Sequence, residues 1–263
     1  RNWMILWRMI GRFQYLMCSK YCMVYISLFE VWKVMQRCLE ASCVPKGYDH
    51  EGAFSTRWLA SYGFTVFNIL DEITISNTSD WRIELLKTGV LCGYGSPMIT
   101  LGADVIDYCA SLESSKNESI KIVIKDIRGP IFLIPFAARR SLNAESYVLE
   151  WNDPLGEVIK VIINDPKEIY ISDINNLCDI EYSVDVTIRI SDKAYLFDDS
   201  TKINVNYALN PKILAGTHEK CLSNGISVKR ALWEKLNALA NLVLVPNTEK
   251  SRSLGAGGGD AND

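Results

Sequence analysis

The chain has 263 residues, of which 48% are hydrophobic and 22% are charged, as is usual for a globular protein and unusual for a disordered one. Its formal net charge is -3, and its lysines and arginines are spread along the chain instead of forming the basic face of a nucleic-acid-binding protein. We therefore expect no nucleic-acid partner.

The first 22 residues are rich in Trp, Met and Tyr and differ in composition from the rest. Arginines and a lysine interrupt their apolar runs, so no stretch reaches the roughly 20 apolar residues of a membrane span. They could form an amphipathic helix on a membrane or a partner, or they could be translated flanking sequence before a natural start at Met23. We favour the second, because a helix entry follows Met23, and expect residues 1–22 to be dispensable. Residues 23–263 are then predicted to form a single domain.

Three helices are predicted in the first half of the chain. Ser27 and Glu30 have the spacing of a capping box, which predicts a helix start. Apolar residues follow at helical spacing at Leu28, Val31, Trp32, Met35, Cys38 and Leu39. The segment VPKG at 44–47 ends this helix, a second is predicted over 49–62, and a third over 96–112. The glycines of CGYGSPM, just before the third, are typical of a turn.

From residue 119 the pattern changes to the alternation of half-buried strands. The predicted strands are SIKIVIKDI, GPIFLIPFAARRS, SYVLEWND, EVIKVIIND, EIYIS, EYSVDVTIRISD and KINVNYALN. A closing helix is predicted for GISVKRALWEKLNALANLVLV, with a buried side formed by Val228, Leu232, Leu236, Leu239 and Leu242. The sequence thus predicts an α+β fold, with helices in 23–115, a mainly antiparallel sheet in 116–263, a C-terminal helix and a glycine-rich end.

No motif for a metal or a cofactor is present. The eight cysteines include no CxxC pair, and neither His50 nor His218 has a second histidine at ligand spacing. We therefore predict no metal site, and free thiols in a cytoplasmic protein. The chain also lacks GxSxG, Walker A, HExxH and a GxGxxG after a strand, so no cofactor is predicted.

Several polar clusters are weaker candidates for a catalytic or ligand-binding site. His50 with Asp49 and Glu51 could form an acid/base group, but neighbouring helix residues point in different directions, which favours a solvated helix start. Arg139 and Arg140 could bind a carboxylate or phosphate, although basic residues at a strand end are usually exposed. The carboxylate pairs at 71–72 and 198–199 are expected to be solvated.

The C-terminal segment SRSLGAGGGDAND is the strongest candidate site. Successive amides of a glycine-rich loop can surround an anion, and the arginine adds a cation. The predicted ligand-binding residues are Ser251, Arg252, Gly255, Gly257, Gly258, Gly259 and Asn262. Asp260 or Asp263 would orient the ligand or assist proton transfer. On composition alone, a frayed terminus explains the same residues.

The same segment resembles the C-terminal signature of an uncharacterised bacterial family, domain of unknown function 3726. The signature is carried by Glu249, Ser251, Arg252, Gly255-Ala256-Gly257 and the Asp-x-Asn-Asp end. Weaker matches follow in order at Ser27-Leu28 with Glu30, Val44-Pro45 with Gly47 and Glu51, Arg57-Trp58-Leu59, Gly129-Pro130 with Pro135 and Ala138, and Trp151. The resemblance covers residues 24–263 and implies that the glycine-rich end belongs to the domain. The segment is one residue shorter than is usual in the family and lacks a threonine before the aspartate, which weakens the role given to Asp260.

A fainter resemblance links the opening helix pair to the malate/L-lactate dehydrogenase family of the non-Rossmann type, without a cofactor motif to support it. The uncharacterised family has no established activity to transfer. We therefore expect a cytoplasmic bacterial metabolic protein that binds a small anionic metabolite at its glycine-rich end. The alternative is a non-catalytic accessory subunit whose C-terminus docks into a partner enzyme.

Overall fold

The computed structural model describes residues 22–64, 66–67, 80–112, 120–143, 145–172, 182–192 and 209–244. These ranges fold as an α+β protein in which helices and a seven-stranded, mainly antiparallel sheet share one hydrophobic core. The predicted fold class is confirmed. Residues 1–21 and 245–263, which include most of the predicted dispensable segment and all of the glycine-rich end, lie outside the described residues.

The helices of the described ranges are α1 (Leu28–Ala41), α2 (Tyr48–Ser61), α3 (Met98–Ser111), α4 (Leu133–Arg140), α5 (Pro211–Asn224) and α6 (Arg230–Ala240). The strands are β1 (Met23–Ile26), β2 (Glu84–Lys87), β3 (Val90–Pro97), β4 (Ile120–Arg128), β5 (Glu145–Asn152), β6 (Val158–Asp165), β7 (Glu168–Ile171), β8 (Ser183–Asp192) and β9 (Ile226–Lys229). Short 3-10 turns lie at Pro130–Phe132, Ser141–Asn143 and Asn241–Val243. None of these helices is both long and apolar enough for a membrane crossing.

The large sheet has the strand order β2-β3-β4-β8-β5-β6-β7, and β1 pairs with β9 in a separate two-stranded sheet. Strands β3 and β4 run parallel, and α3 makes the crossover connection that parallel strands require. The remaining pairs are antiparallel.

The capping box predicts the start of α1 correctly. The Ser27 hydroxyl accepts a hydrogen bond from the Glu30 backbone N–H at 3.2 Å, and the Glu30 carboxylate accepts one from the Ser27 N–H at 2.8 Å. Helix α2 covers almost the whole predicted range, whereas α3 begins at Met98, two residues later than predicted. Local signals therefore locate all three opening helices.

The prediction of a turn at CGYGSPM is wrong, because this segment is strand β3. Gly93 allows β3 to lie close to β4, because a Cβ at this position would be only 2.5 Å from Ile127 Cγ2 and 3.0 Å from the Asp126 carbonyl oxygen. The register of β3 against β4 shifts between Cys92 and Ser96. The glycines therefore shape a bulged strand.

The predicted strand GPIFLIPFAARRS is also wrong, since it forms a 3-10 turn followed by α4. All residues from Pro130 to Ala138 are buried, so the apolar run shows no period that could separate a helix from a strand. Gly129, at φ 64, turns the chain, and Pro130 begins the helical segment.

The closing region contains two helices and a strand, where one helix was predicted. Helix α5 is absent from the sequence-based prediction. Gly225 ends α5 at φ 75 and ψ -176, and β9 then pairs with β1, so Val228 is buried in a strand. The apolar stripe also ends earlier than expected, because Leu242 is 73% exposed and Leu244 is 44% exposed. Pairing with β1, which lies about 200 residues earlier in the chain, decides this conformation.

Candidate functional site

The predicted glycine-rich site lies outside the described residues, with all of its members: Ser251, Arg252, Gly255, Gly257, Gly258, Gly259, Asp260, Asn262 and Asp263. The carboxylate pairs at 71–72 and 198–199 lie outside them too. The other predicted groups fall within the described ranges.

Asp49, His50 and Glu51 lie in the first turn of α2, where Asp49 and His50 share the Gln36 amide and Glu51 pairs with Arg139. Asp49 is buried, not solvated: its carboxylate accepts from the Gly47 N–H at 2.7 Å and from the Gln36 amide at 3.3 Å. His50 is exposed and lies 3.0 Å from the same amide through its Nε2. These contacts join α1 to α2, so Asp49 has a structural role.

Arg139 and Arg140 end helix α4 instead of the predicted strand, and both face carboxylates. Arg139 forms a 2.9 Å ion pair with Glu51, and its guanidinium lies 4.9 Å from the centroid of the Phe54 ring. Arg140 lies 3.8 Å from the Asp107 carboxylate. Since carboxylates of the protein already neutralise both guanidinium groups, this pair is a poor place for an anionic ligand.

The described residues contain a better candidate, a cleft of about 410 Å³ between the start of α2, one side of α3 and strands β2 and β3. Ligand sites usually combine apolar walls with a few polar groups in a cleft of roughly this size. Its apolar wall consists of Ile83, Leu85, Leu91, Leu101 and Val105, and its polar or aromatic residues are Tyr48, Trp81, Arg82, Asp104 and Tyr108.

Tyr48 and Asp104 form one polar pair in this cleft. The Tyr48 hydroxyl donates a hydrogen bond of 2.7 Å to Asp104 Oδ2. This bond to a carboxylate, with some burial, raises the pKa of Tyr48 above its ordinary value. The phenol therefore stays protonated and donates, while the carboxylate keeps a second oxygen that can accept a hydrogen bond from a ligand.

Arg82 supplies the cleft with a cation. Its guanidinium lies 4.5 Å from the centroid of the Tyr94 ring, and the Tyr94 hydroxyl donates to the Glu84 carboxylate at 2.7 Å. Tyr94 has φ 49, a left-handed conformation that is rare for an aromatic residue, and lies in the bulge of β3. The strained backbone thus places the ring beneath Arg82. In the described part of the chain, Arg82 makes no ion pair.

The cleft brings together residues that are far apart in sequence, and only Tyr48 carries a local signal, as the residue just before the predicted second helix. Arg82 lies in a segment without a motif, and Asp104 is one of two acids on an amphipathic helix. No cluster of three or more His, Cys, Asp or Glu residues suitable for a metal occurs within the described ranges. The arrangement can bind a carboxylate at Arg82 and exchange hydrogen bonds at the Tyr48–Asp104 pair.

No family model matches the sequence, and no curated protein matches it either. The fold is similar to several solved structures. A dehydrogenase from Sinorhizobium meliloti matches with a TM-score of 0.63 and 11% identity over 83% of this chain and 100% of that one. A malate dehydrogenase from Pyrococcus horikoshii OT3 matches with a TM-score of 0.60 and 10% identity over 85% of this chain and 96% of that one. A sulfolactate dehydrogenase from Methanocaldococcus jannaschii matches with a TM-score of 0.60 and 10% identity over 83% of this chain and 97% of that one.

These identities show a shared fold and nothing finer. The faint resemblance of the opening helix pair to the malate/L-lactate dehydrogenase family stays a prediction. The resemblance to the uncharacterised bacterial family stays a prediction.

Proposed function

We propose that this protein is a bacterial metabolic protein that binds a small anionic metabolite, and that the cleft at Arg82 holds the anion. The guanidinium of Arg82 carries the proposal, because it lines the cleft, stacks on Tyr94 and makes no ion pair in the described ranges. A guanidinium offers a planar fork of donors that matches a carboxylate. The fold supports this choice, since two of the similar structures are named for malate and sulfolactate, which are small anions at neutral pH.

The Tyr48–Asp104 pair orients such a ligand. A carboxylate on the ligand is repelled by Asp104 and attracted by Arg82, whereas a hydroxyl on the ligand can donate to the second oxygen of Asp104. The apolar wall formed by Leu91, Leu101 and neighbouring residues then contacts the carbon skeleton. A small hydroxy acid can therefore interact with Arg82, with Asp104 and with the apolar wall.

The glycine-rich end is our second proposal for the position of the anion. There, Arg252 and the amides of residues 255–259 would hold it, and Asp260 or Asp263 would assist. Both positions use an arginine, so matched substitutions of the two arginines distinguish them.

Isothermal titration calorimetry with L-malate, and with its neutral diamide as a control, tests the proposal. Arg82→Met keeps the apolar stem and removes the charge, and Arg37→Met removes an exposed charge on α1, outside the cleft. We expect malate to bind and the diamide not to bind. Arg82→Met should weaken malate binding about tenfold, which corresponds to about 1.4 kcal/mol, and Arg37→Met should leave it unchanged.

Each other outcome has a definite meaning. Weakening by Arg252→Ala but not by Arg82→Met would place the anion at the glycine-rich end. Binding of neither malate, lactate nor sulfolactate would reject the metabolite proposal. In that case, a thermal shift produced only by a purified partner enzyme would favour the accessory-subunit alternative.

A further inference from the structure

We propose that a second site, in the groove between β7 and helix α5, binds an apolar α-amino acid in its zwitterionic form. The groove has a volume of about 220 Å³ and shares no lining residue with the cleft at Arg82. This volume is below the roughly 300–1,000 Å³ of sites for drug-sized ligands, which limits the occupant to a molecule of amino-acid size.

The two main walls of the groove are joined by backbone hydrogen bonds. The Ile171 N–H donates to the Leu209 carbonyl at 3.0 Å, and the Leu209 N–H donates to the Ile171 carbonyl at 3.2 Å. Asn210 then caps α5, because its side chain accepts from the N–H groups of Lys212 and Ile213, both at 3.1 Å. The start of the helix is therefore anchored to the end of β7, and the groove is formed before any ligand binds.

Aromatic rings form a third wall at the end of α2. The Tyr62 ring lies 4.4 Å from Trp58 and 5.0 Å from His218, and it is stacked on the His218 ring with an angle of 23° between the planes. Stacked rings hold one another in place. Tyr62 and His218 line the groove, so this wall suits an apolar side chain.

Most residues that line the groove are apolar, and Lys167 and Glu219 in its lining carry opposite charges. Pro166 and Ile169 come from the β6–β7 hairpin, and Pro211 and Leu214 come from α5. Lys167 lies on the hairpin wall.

Glu219 lies on the helix wall, and both charged side chains are exposed. In the part of the chain that the structure describes, neither Lys167 nor Glu219 makes an ion pair. Both charges are therefore available to a ligand.

This arrangement identifies the ligand class. A simple carboxylate would be attracted by Lys167 and repelled by Glu219. A simple amine, which is a cation at neutral pH, would be attracted by Glu219 and repelled by Lys167. A free α-amino acid carries both charges on groups bonded to one carbon atom, so its carboxylate can face Lys167 and its ammonium group can face Glu219. Its apolar side chain then packs among the prolines, Ile169 and Leu214.

Calorimetry on the full chain with L-leucine and L-phenylalanine tests this site, with two truncated ligands as controls. Leucinamide lacks the carboxylate, and 4-methylpentanoate lacks the ammonium group. Lys167→Met and Glu219→Gln remove one charge each from exposed positions, so both variants should fold. Lys212→Met removes an exposed charge on α5 outside the groove and is the matched control.

We expect at least one of the amino acids to bind at millimolar concentration or below, with each charge variant weakening binding about tenfold and Lys212→Met leaving it unchanged. Leucinamide should bind no more weakly to Lys167→Met, and 4-methylpentanoate no more weakly to Glu219→Gln, because in each case the removed charge repels that ligand. Absence of binding by both amino acids overturns the proposal, as does binding that neither charge variant weakens.

Discussion

Replacing Gly52 with alanine should separate helices α2 and α3, which together form one side of the Arg82 cleft. A Cβ built on Gly52 lies 2.5 Å from Leu39 Cδ1, 3.2 Å from the Ile99 carbonyl oxygen and 3.3 Å from Ile99 Cγ1. Leu39 and Ile99 are both completely buried, so neither can move into solvent. The new methyl group must therefore displace the Leu39 side chain of α1 and move α2 and α3 apart by a few tenths of an ångström.

Two opposing contributions determine how much Gly52→Ala changes the free energy of unfolding. Alanine improves the helix propensity of this position by about 0.8–1 kcal/mol. Overpacking of a close-packed interior costs about 1–3 kcal/mol. We expect the free energy of unfolding to fall by about 0–2 kcal/mol, so the propensity term must be measured separately.

Gly216 provides that measurement. It lies within α5, and a Cβ there meets no atom within 4 Å. Gly216→Ala should therefore stabilise the protein by about 0.5–1 kcal/mol through propensity alone. The difference between the two variants then isolates the packing cost, which should be about 1–3 kcal/mol.

Urea unfolding followed by tryptophan fluorescence and circular dichroism measures both free energies. Malate titration of Gly52→Ala adds a functional readout, because Tyr48 lies one helical turn before Gly52 and its contact with Asp104 crosses the same interface. Weaker malate binding should accompany the loss of stability. Equal effects of the two glycine substitutions on the free energy of unfolding would refute the packing argument.

Three further predictions concern stability and reactivity. Gly225→Ala should destabilise the protein by about 1–3 kcal/mol in urea unfolding. The positive φ of Gly225 disfavours a side chain, and a Cβ there would lie 2.7 Å from the Ile26 carbonyl oxygen. An unchanged midpoint of urea unfolding would contradict this prediction. The Cys109 thiol, whose pKa burial raises to about 12, should resist iodoacetamide at pH 8 until urea unfolds the chain, as mass spectrometry can show. The pKa of Tyr48 is raised by its bond to Asp104 and that of Tyr62 by burial, from an ordinary value of 10.0. Both residues therefore stabilise the fold fully below pH 10.0 and lose this contribution as the pH rises above that value. The urea concentration at the midpoint of unfolding should then fall in alkaline solution. A midpoint that stays level would show that the reasoning is wrong.

Local signals in the sequence were sufficient wherever one segment's own chemistry decides its structure. Ser27 and Glu30 satisfy each other's backbone and side-chain groups within one turn, so their spacing alone fixes the start of α1. The alternating strands β4, β6 and β8 are recognised for a similar reason, since one face of each is buried in the core and the pleat repeats every two residues.

Tertiary structure decided the segments whose partners are distant in sequence. Residues 130–138 are buried on all sides and carry no period, so only their surroundings select a helix. The strand β9 exists because β1 pairs with it, and β3 because β4 lies beside it. A propensity calculation within a short window cannot include those bonds.

The same distinction applies to the two proposed positions of the anion, the cleft at Arg82 and the glycine-rich end. The composition of the glycine-rich end made it visible in the sequence, whereas the cleft consists of single residues from α2, α3 and the segment before β2. Neither Arg82 nor Asp104 is part of a motif, and a lone arginine or aspartate in a sequence is most often solvated. Their meeting with Tyr48 depends on the packing of α2 on α3 and on the crossover from β3 to β4. Those contacts form only when the apolar faces of distant segments are buried together, which is a property of the whole chain.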